Sequence, residues 1–238
     1  MRAIVLAGGK GSRLGAVCKY LPKPLVPVGD MAVGEILVRQ LKAAGCDHIT
    51  FAVGHGAQLI MSFFDSLDFC GVKVDYSREE QPLGTIGPLK LIDDLPEDFI
   101  VCNGDVLTDL DIREMYNLHL AGGGMATVGA YRREVVDEFG VMSLDGNLIE
   151  HFTEKPRRLY WVSMGVYVLS RDALKYVPDE QPYGFDDLMG AMIADKAHVR
   201  ARMFDGYWLD IGRPDDYERA NREFEAVKDR LLPSLRGR

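Results

Sequence analysis

The pattern of apolar and polar residues divides the first half of this 238-residue chain into short apolar segments and longer amphipathic segments, whose apolar residues would lie on one face. Short apolar runs bounded by turn-forming residues are typical of strands, and apolar residues spaced three and four apart indicate helices. The predicted strands are Ala3–Ala7, Ile49–Val53, Val72–Tyr76 and Phe99–Cys102. The predicted helices are Val33–Ala44, Ala57–Phe64, Ile86–Ile92 and Ile112–Leu120, the last of which ends at a run of three glycines. Strands that alternate with helices predict an α/β fold, with a mixed, mostly parallel central sheet and helices on both faces.

The second half of the chain has a more mixed pattern. Its predicted strands are Ala126–Tyr131, Gly140–Leu144, Val162–Leu169 and Val199–Met203, and its predicted helices are Phe185–Asp195 and a last helix that begins at Pro214. Asp145-Gly146-Asn147 indicates a turn between two apolar runs. Because no Pro- or Ser-rich linker interrupts the chain, we predict one domain over residues 1–238. It would consist of two halves that share the sheet, residues 1–110 and 111–220, followed by a C-terminal helix and tail, residues 221–238.

Charge and cysteine content narrow the function classes. The formal net charge of -8 and the pI near 5.2 argue against a nucleic-acid partner, since nucleic-acid binding favours a basic face. No apolar stretch is long enough to cross a membrane, and a strand begins almost at the N-terminus, so we expect neither a membrane partner nor a signal peptide. The four cysteines are widely spaced, which predicts buried, reduced thiols in a cytoplasmic protein.

A glycine-rich loop after the first predicted strand carries the strongest chemical signal. The segment from Leu6 to Pro24 contains Gly8, Gly9 and Gly11, and up to Asp30 the chain has five basic residues and one acid. Backbone N–H groups of such a loop bind anions, and the added cations favour a polyphosphate. The loop is not a Walker P-loop, because the string Gly-x-x-x-x-Gly-Lys-Ser/Thr is missing. It is not the dinucleotide fingerprint either, because Leu14 occupies the position of the last fingerprint glycine.

Two acidic segments follow predicted strands. Asp105, in Asn103-Gly104-Asp105, lies where the carboxyl end of a strand would hold a ligand, and its carboxylate suits Mg²⁺; a turn or a helix cap is the alternative. Asp109-Leu110-Asp111 has the Asp-x-Asp pattern of some metal sites, but we expect it to cap the helix that begins near Ile112.

The glycine-rich loop identifies a family resemblance. The string from Gly8 to Leu14, Gly-Gly-Lys-Gly-Ser-Arg-Leu, followed by Pro-Lys-Pro at residues 22–24, resembles the signature of the sugar-1-phosphate nucleotidyltransferases, also called nucleotide-sugar pyrophosphorylases. The family usually has Thr where this chain has Ser12, a change that keeps the hydroxyl. The resemblance extends to about residue 220 and implies the Rossmann-like fold of nucleotide-diphospho-sugar transferases.

The resemblance also implies a reaction and the residues that perform it. An NTP and a sugar 1-phosphate would give an NDP-sugar and pyrophosphate, with Mg²⁺ as cofactor. Arg13 would hold the β- and γ-phosphates, Lys23 would neutralise the α-phosphate, and Lys155 would hold the sugar phosphate. Asp105 and Asp210, the latter in a Trp-Leu-Asp-Ile-Gly string, would bind the metal.

Further contacts are implied at the motifs that match the family. The implied nucleotide contacts lie in the first strand and its loop, in a base-reading loop, and before Asp105: Leu6, Ala7, Gly8, Gly9, Gly11, Ser12, Arg13, Gln81, Gly84, Thr85, Asn103 and Gly104. The implied sugar-phosphate contacts are Gly140, Glu154, Lys155, Ser163 and Gly165. The family often has Asn near Ser163, which puts the sugar contacts there in doubt.

The sequence does not decide which substrates are used, and it leaves two other functions as alternatives. The Pro82–Thr85 string resembles members that use GTP with mannose- or heptose-type phosphates, but members that use dTTP or UTP, and glucose-type phosphates, come close. A glycosyltransferase would use Asp109 and an NDP-sugar donor. A non-catalytic nucleotide-sugar-binding regulator would lack one of the five implied catalytic residues, and all five are present. Some relatives add a C-terminal left-handed β-helix, which we do not expect here; a homo-oligomer is a further expectation.

Overall fold

The computed structural model describes residues 1–9, 11 and 21–232. Its centre is a seven-stranded sheet with the order β12-β8-β11-β6-β1-β4-β5. The strands of this sheet are β1 (Arg2–Ala7), β4 (His48–Val53), β5 (Lys73–Arg78), β6 (Asp98–Asn103), β8 (Ala126–Val136), β11 (Arg157–Ser170) and β12 (Val199–Phe204). Three two-stranded ladders accompany it: β2 (Pro27–Val28) with β3 (Met31–Ala32), β7 (Val106–Thr108) with β13 (Trp208–Asp210), and β9 (Val141–Asp145) with β10 (Leu148–Thr153).

Strand direction confirms the predicted mostly parallel sheet. Strands β6, β1, β4 and β5 run parallel to one another, and β8 runs parallel to β12. Only β11, which lies between β6 and β8, is antiparallel to its neighbours. The carboxyl ends of β1, β4, β5 and β6 therefore meet at one edge of the sheet, where open α/β sheets bind ligands.

Helices cover both faces of the sheet, as the alternating pattern predicted. The five α-helices of the described chain are α1 (Val33–Ala44), α2 (Ala57–Asp65), α3 (Ile112–Gly122), α4 (Phe185–Ala194) and α5 (Pro214–Leu231). Successive residues of β1 alternate between two buried clusters: Ala3 and Val5 pack with the side chains of α1 and α2, while Ile4 packs with those of α4. This alternation is the period-two pattern of a strand buried on both faces. A third cluster joins α5 to β2 and β13.

Several elements differ from the sequence expectations. Residues 86–92 do not form the predicted α-helix; residues Gly87–Leu91 form a short 3-10 helix with Pro88 in its first turn. The predicted turn at residues 145–147 is confirmed as the connection of a hairpin, but its second strand, β10, was not predicted. Strands β8 and β11 are longer than predicted, and the residues that the prediction did not include are largely exposed.

The cysteines are only partly as expected. Cys46 and Cys102 are buried free thiols, and burial raises the pKa of the Cys46 thiol to about 12. Cys70 is exposed, so the prediction that it is buried is wrong; it lies in the loop between α2 and β5 rather than in an element that packs on the sheet. Cys18 lies outside the described residues.

Within the described ranges, no helix is both long and apolar enough to cross a membrane.

Candidate active site

A large cavity lies at the carboxyl edge of the sheet. Its volume is about 1090 Å³, and residues at or just after the ends of β1, β4, β5 and β6 line it. Most of the predicted nucleotide and metal contacts lie on its wall: Leu6, Ala7, Gly8, Gly9, Lys23, Gln81, Gly84, Thr85, Asn103, Gly104, Asp105 and Asp210. Residues far apart in sequence thus converge because parallel strands end at the same edge.

The first wall is the end of β1 and the glycines that follow it. Gly8 and Gly9 line the cavity, and Gly11 is buried with a φ of 65°, a left-handed conformation that favours glycine. Gly104 packs against this segment and donates its N–H to the Leu6 carbonyl oxygen at 2.9 Å. Three residues singled out by the sequence, Lys10, Ser12 and Arg13, lie outside the described residues.

Lys23, Asp105 and Asp210 meet at one point of the cavity wall. Lys23 Nζ lies 2.5 Å from Asp105 Oδ2. A Cβ placed on Gly212 would lie 2.9 Å from Asp105 Oδ2, 2.9 Å from Asp210 Oδ1 and 3.0 Å from Lys23 Nζ. Two carboxylates and one ammonium group therefore converge beside Gly212, which has no side chain to fill the space between them.

The short β7–β13 ladder brings the two aspartates together. In its antiparallel register Asp210 is paired with Val106, the residue after Asp105, and Ile211 N–H donates to the Asp105 carbonyl at 2.9 Å. Lys23 reaches the same point from a 3-10 turn, Lys23–Leu25, that begins after Pro22. The ladder explains how two acids that are far apart in the sequence lie close together in the cavity wall.

Asp216 and Arg133 support the segment that carries Asp210. Asp216 is buried in the first turn of α5, and it accepts two hydrogen bonds from the Arg133 guanidinium at 3.0 and 3.1 Å. Asp216 also accepts the backbone N–H of Asp210 at 3.3 Å. The hydrogen bonds that Arg133 donates to Asp216 are the largest cause that raises the pKa of Arg133 further above its usual value. This pair ties α5 to β8 and holds the Asp210 backbone in place.

The predicted base-reading loop forms another part of the cavity wall. Gly84 has a φ of 78°, and a Cβ there would lie 2.6 Å from the Tyr183 carbonyl oxygen, so only glycine fits. Tyr183 accepts the N–H groups of Ile86 and Gly87 at 3.0 and 3.2 Å and thereby fixes the end of the loop. Gln81 and Thr85 are exposed toward the cavity.

The predicted sugar-phosphate contacts do not line this cavity, and they form two separate groups. Gly165, with a φ of 73°, packs against Asn103, so that a Cβ there would lie 2.6 Å from Asn103 Nδ2. Ser163, two residues earlier, lies 3.1 Å from the Tyr167 hydroxyl and is exposed. This first group adjoins the cavity through Asn103.

The second group lies at the β9–β10 hairpin. A Cβ on Gly140 would lie 3.0 Å from Glu154 Oε2, and Glu154 and Lys155 are both exposed. Lys155 has a φ of 46°, in the left-handed region that residues other than glycine rarely adopt. Such backbone conformations are concentrated at functional positions.

The Asp-x-Asp segment is occupied by structural contacts. Asp111 caps α3 by accepting the Glu114 N–H at 2.8 Å, as expected. Asp109 accepts the Tyr207 N–H at 2.7 Å and lies 2.5 Å from Arg230 of α5. Neither carboxylate lines the cavity.

The sequence reasoning missed residues that follow β4 and β5. His55, Arg78 and Glu79 line the cavity. They belong to no motif, but they follow the carboxyl ends of two predicted strands. The rule that such ends bind ligands would have found them.

The fold and the cavity are those of an α/β protein that binds its ligand at the carboxyl edge of a mostly parallel sheet. A family model described as Nucleotidyl transferase matches residues 2–227. The chain belongs to the nucleotidyl transferase family.

Two curated relatives and one solved structure illustrate the similarity. Mannose-1-phosphate guanyltransferase of Pichia angusta is 32% identical over 227 residues, which cover 91% of this chain and 62% of that protein. Mannose-1-phosphate guanylyltransferase 1 of Arabidopsis thaliana is 31% identical over 228 residues, with 91% of this chain and 63% of that protein covered. The crystal structure of HddC from Yersinia pseudotuberculosis complexed with GMP-PN superposes with a TM-score of 0.72 at 27% identity, covering 94% of this chain and 99% of that chain. The chain thus spans less than two thirds of the length of these curated relatives.

Proposed function

We propose that the protein is a sugar-1-phosphate nucleotidyltransferase that makes an NDP-sugar and pyrophosphate from an NTP and a sugar 1-phosphate. The observation that carries this proposal is the convergence of Lys23, Asp105 and Asp210 in the wall of a cavity that is also lined by a glycine-rich segment and a separate loop. A nucleoside triphosphate needs both kinds of contact, since its phosphates require cations and its base requires a separate binding surface.

The residues at the convergence point suit a phosphoryl-transfer step. Both substrates are anions, so the protein must supply positive charge and hold the reacting atoms in line. Lys23 neutralises the α-phosphate as the sugar phosphate oxygen attacks it, and Arg13 of the glycine-rich loop holds the departing pyrophosphate. A sugar phosphate is already ionised near neutral pH, so no general base is required.

Asp105 and Asp210 suit a magnesium ion. Mg²⁺ in such sites is usually bound by one or two carboxylates together with substrate phosphate oxygens, and the described chain offers no cluster of three or more acidic, His or Cys ligands that would serve instead. The space beside Gly212 lies within 3.0 Å of both carboxylates. When bound, Mg²⁺ supplies charge neutralisation at the α-phosphate. The salt bridge holds Lys23 beside the Asp105 carboxylate.

The second half of the chain supplies the sugar phosphate site in this proposal. Residues 1–110 bind the nucleotide, and residues 111–220 bring Gly140, Glu154, Lys155, Ser163 and Gly165 to the acceptor. Glu154 accepts hydrogen bonds from sugar hydroxyls, and Lys155 holds the phosphate. Gly165 leaves room beside Asn103 for the sugar.

GTP with a mannose- or heptose-type 1-phosphate is the substrate pair we favour. The curated relatives are named mannose-1-phosphate guanylyltransferases, and the HddC structure holds GMP-PN. Both observations support a guanine nucleotide. A glycosyltransferase that uses Asp109 is less well supported, because Arg230 and the Tyr207 N–H already occupy that carboxylate.

Pyrophosphate release over a substrate grid tests the proposal. The five common NTPs are combined with glucose-, mannose-, N-acetylglucosamine- and heptose-1-phosphates, each with Mg²⁺ and with EDTA. We expect release that requires both a sugar 1-phosphate and Mg²⁺, strongest in one GTP combination. Absence of release from every combination, while NTP binding is still measurable, would contradict the transferase.

A further inference from the structure

An antiparallel arm extends from the central sheet. Its base consists of residues 131–136 of β8, which pair with residues 157–162 of β11. Beyond it the Asp137 N–H donates to the Pro156 carbonyl oxygen at 3.1 Å, and the β9–β10 hairpin forms the tip. Most residues of the arm are exposed, so it is largely uncovered in the single chain.

One face of the hairpin at the tip is apolar. Residues that are opposite each other in an antiparallel pair point to the same side, and so do residues two apart on one strand. The register places Leu144 opposite Ile149 and Met142 opposite Phe152, so these four side chains share a side. They are 50% to 61% exposed. We call these four residues the hairpin face.

The base of the arm has a second apolar face. The residues of β8 that pair with Leu159, Trp161 and Met203 are separated from Val136 by even numbers of residues. Val136, Leu159 and Trp161 therefore lie on one side of the sheet together with Met203 of β12. These four residues are 47% to 61% exposed, and we call them the ribbon face.

The two faces adjoin, and together they have the size of a dimer interface. Val136 and Met142 are six residues apart, an even number, which places them on the same side of an extended chain. Phe139 lies between them and is 78% exposed. Eight large side chains at about half exposure present on the order of 800 Å², which is about what one partner of a standard interface buries. An ordinary monomer exposes smaller apolar patches, about 300–600 Å².

The charges beside the two faces are of opposite sign. The segment from residue 137 to residue 155, which contains the hairpin, has five acids and one lysine, whereas residues 131–136 and 156–162 have four arginines and one acid. Arg157 and Arg158 form ion pairs within the arm, with Glu134 at 3.1 Å and Asp137 at 3.5 Å. Within the described ranges, exposed Arg132 and Glu150 form no ion pair. A surface that is acidic at one end and basic at the other complements a second copy of itself.

We propose that the arm is the interface of a homodimer, in which the hairpin face of one copy packs on the ribbon face of the other. Each copy supplies both faces, so a two-fold axis forms the same contact twice. The acidic hairpin then lies against the arginines of the second copy. Because the axis passes near residues 137–140, between the faces, Ile149 at the outer end of one hairpin meets Trp161 at the inner end of the other ribbon.

Sedimentation equilibrium of the full chain over a range of protein concentrations tests the dimer. We expect wild-type protein to have the mass of two 26.5 kDa chains. Ile149→Glu and Trp161→Lys should each weaken dimerisation about tenfold or more, because each places a charge in an apolar contact. The matched controls are Ile193→Glu on α4 and Leu120→Lys on α3, which alter side chains that are 62% and 49% exposed outside both faces and should leave the dimer unchanged. Thermal unfolding establishes that each variant is folded.

The double variant tests which surfaces meet. Ile149→Glu combined with Trp161→Lys places an acid opposite a base at each of the two symmetric contacts. We expect its dimer to be stronger than the two single effects add up to, since opposite charges across an interface attract. Dissociation equal to the sum of the single effects would overturn the packing of hairpin on ribbon.

Three other results would overturn the interface. They are a single-chain mass of the wild type at every concentration, a dimer that neither Ile149→Glu nor Trp161→Lys weakens, and equal weakening by the controls. A single-chain mass would leave the two faces to a different partner protein. No substrate is present in these measurements, so their outcome does not depend on the proposed function.

Discussion

Asp105 is buried in the cavity wall, and its charged neighbours are Lys23 and Asp210. It is 7% exposed, it pairs with Lys23, and its Oδ2 faces the space beside Gly212. We expect Asp105→Asn to lower kcat by at least about a hundredfold, because the metal and the lysine both lose an anionic partner. Steady-state pyrophosphate release measures this. Asp109→Asn is the control, since Asp109 lies outside the cavity, and equal activity loss in both variants would contradict the assignment.

Gly212 tests whether the space between the three side chains is used. An alanine methyl group would lie within 3.0 Å of the two carboxylates and the ammonium group, where a phosphate or a metal is expected. We predict that Gly212→Ala lowers kcat by about tenfold or more. Gly190→Ala is the matched control: nothing lies within 4 Å of its Cβ position in α4, so this variant should keep full activity. Turnover of Gly212→Ala near the wild-type value would show that the space is not used.

The residues of the site were predictable to different degrees. Gly8, Gly9 and Asp105 lie just after predicted strand ends, and Lys23 belongs to a string that resembles the family signature, so the sequence alone could single them out as candidates. The proximity of Asp210 to Asp105 depends on a ladder of three residues per strand, which is too short for a periodic pattern. Glu79 belongs to no motif, and only its position directly after the carboxyl end of β5 could have pointed to it.

At the scale of elements, Asp111 is a helix cap rather than a metal ligand. Its carboxylate accepts the Glu114 N–H at the start of α3. We predict that Asp111→Ala lowers the free energy of unfolding by about 1 kcal/mol, since one backbone N–H loses its partner. Urea denaturation measures the stability, and pyrophosphate release should be unchanged. A large activity loss without a stability loss would favour the glycosyltransferase instead.

The sequence predicted buried elements better than exposed ones. Strand β8 is buried from Ala126 to Ala130 and exposed near its end, and the prediction stopped at Tyr131. Strand β11 is buried from Met164 to Leu169, and its exposed first half was not predicted either. The exposed end of β8 is rich in charged residues and has no such apolar pattern, whereas the exposed start of β11 contains the apolar run Leu159-Tyr160-Trp161, which the prediction did not use.

At the scale of the whole molecule, strands β4 and β5 carry a charged network that is separate from the cavity. Asp75, on β5, accepts hydrogen bonds from Thr50 at 2.6 Å and lies 2.7 Å from His48 Nε2 and 3.0 Å from Lys73 Nζ. Burial raises the pKa of this carboxyl, but these hydrogen bonds outweigh it and lower the pKa from 3.8 to about 2. This network lies on neighbouring strands, and none of its members lines the cavity.

The lowered pKa of Asp75 predicts a loss of stability in acid. Because its pKa is lower in the folded state, the unfolded state binds more protons below about pH 4. The stabilising contribution is therefore complete above that pH and declines as pH falls toward 2. Urea denaturation at pH 5 and at pH 3 measures the free energy of unfolding. Between these two pH values it should fall less for Asp75→Asn than for wild type. Asp93→Asn, which alters an exposed acid, should behave as wild type, and equal pH dependence of all three would contradict the prediction.

The most direct test of the account is the fate of the α-phosphate. GTP labelled with ³²P at the α position is incubated with mannose 1-phosphate or a heptose 1-phosphate and Mg²⁺, and the products are separated. We predict that the label appears in an NDP-sugar, with one pyrophosphate released for each NDP-sugar formed, and that Asp105→Asn abolishes both. Label that appears only in GDP or GMP, or that stays in GTP with every sugar 1-phosphate of the substrate grid, would contradict it.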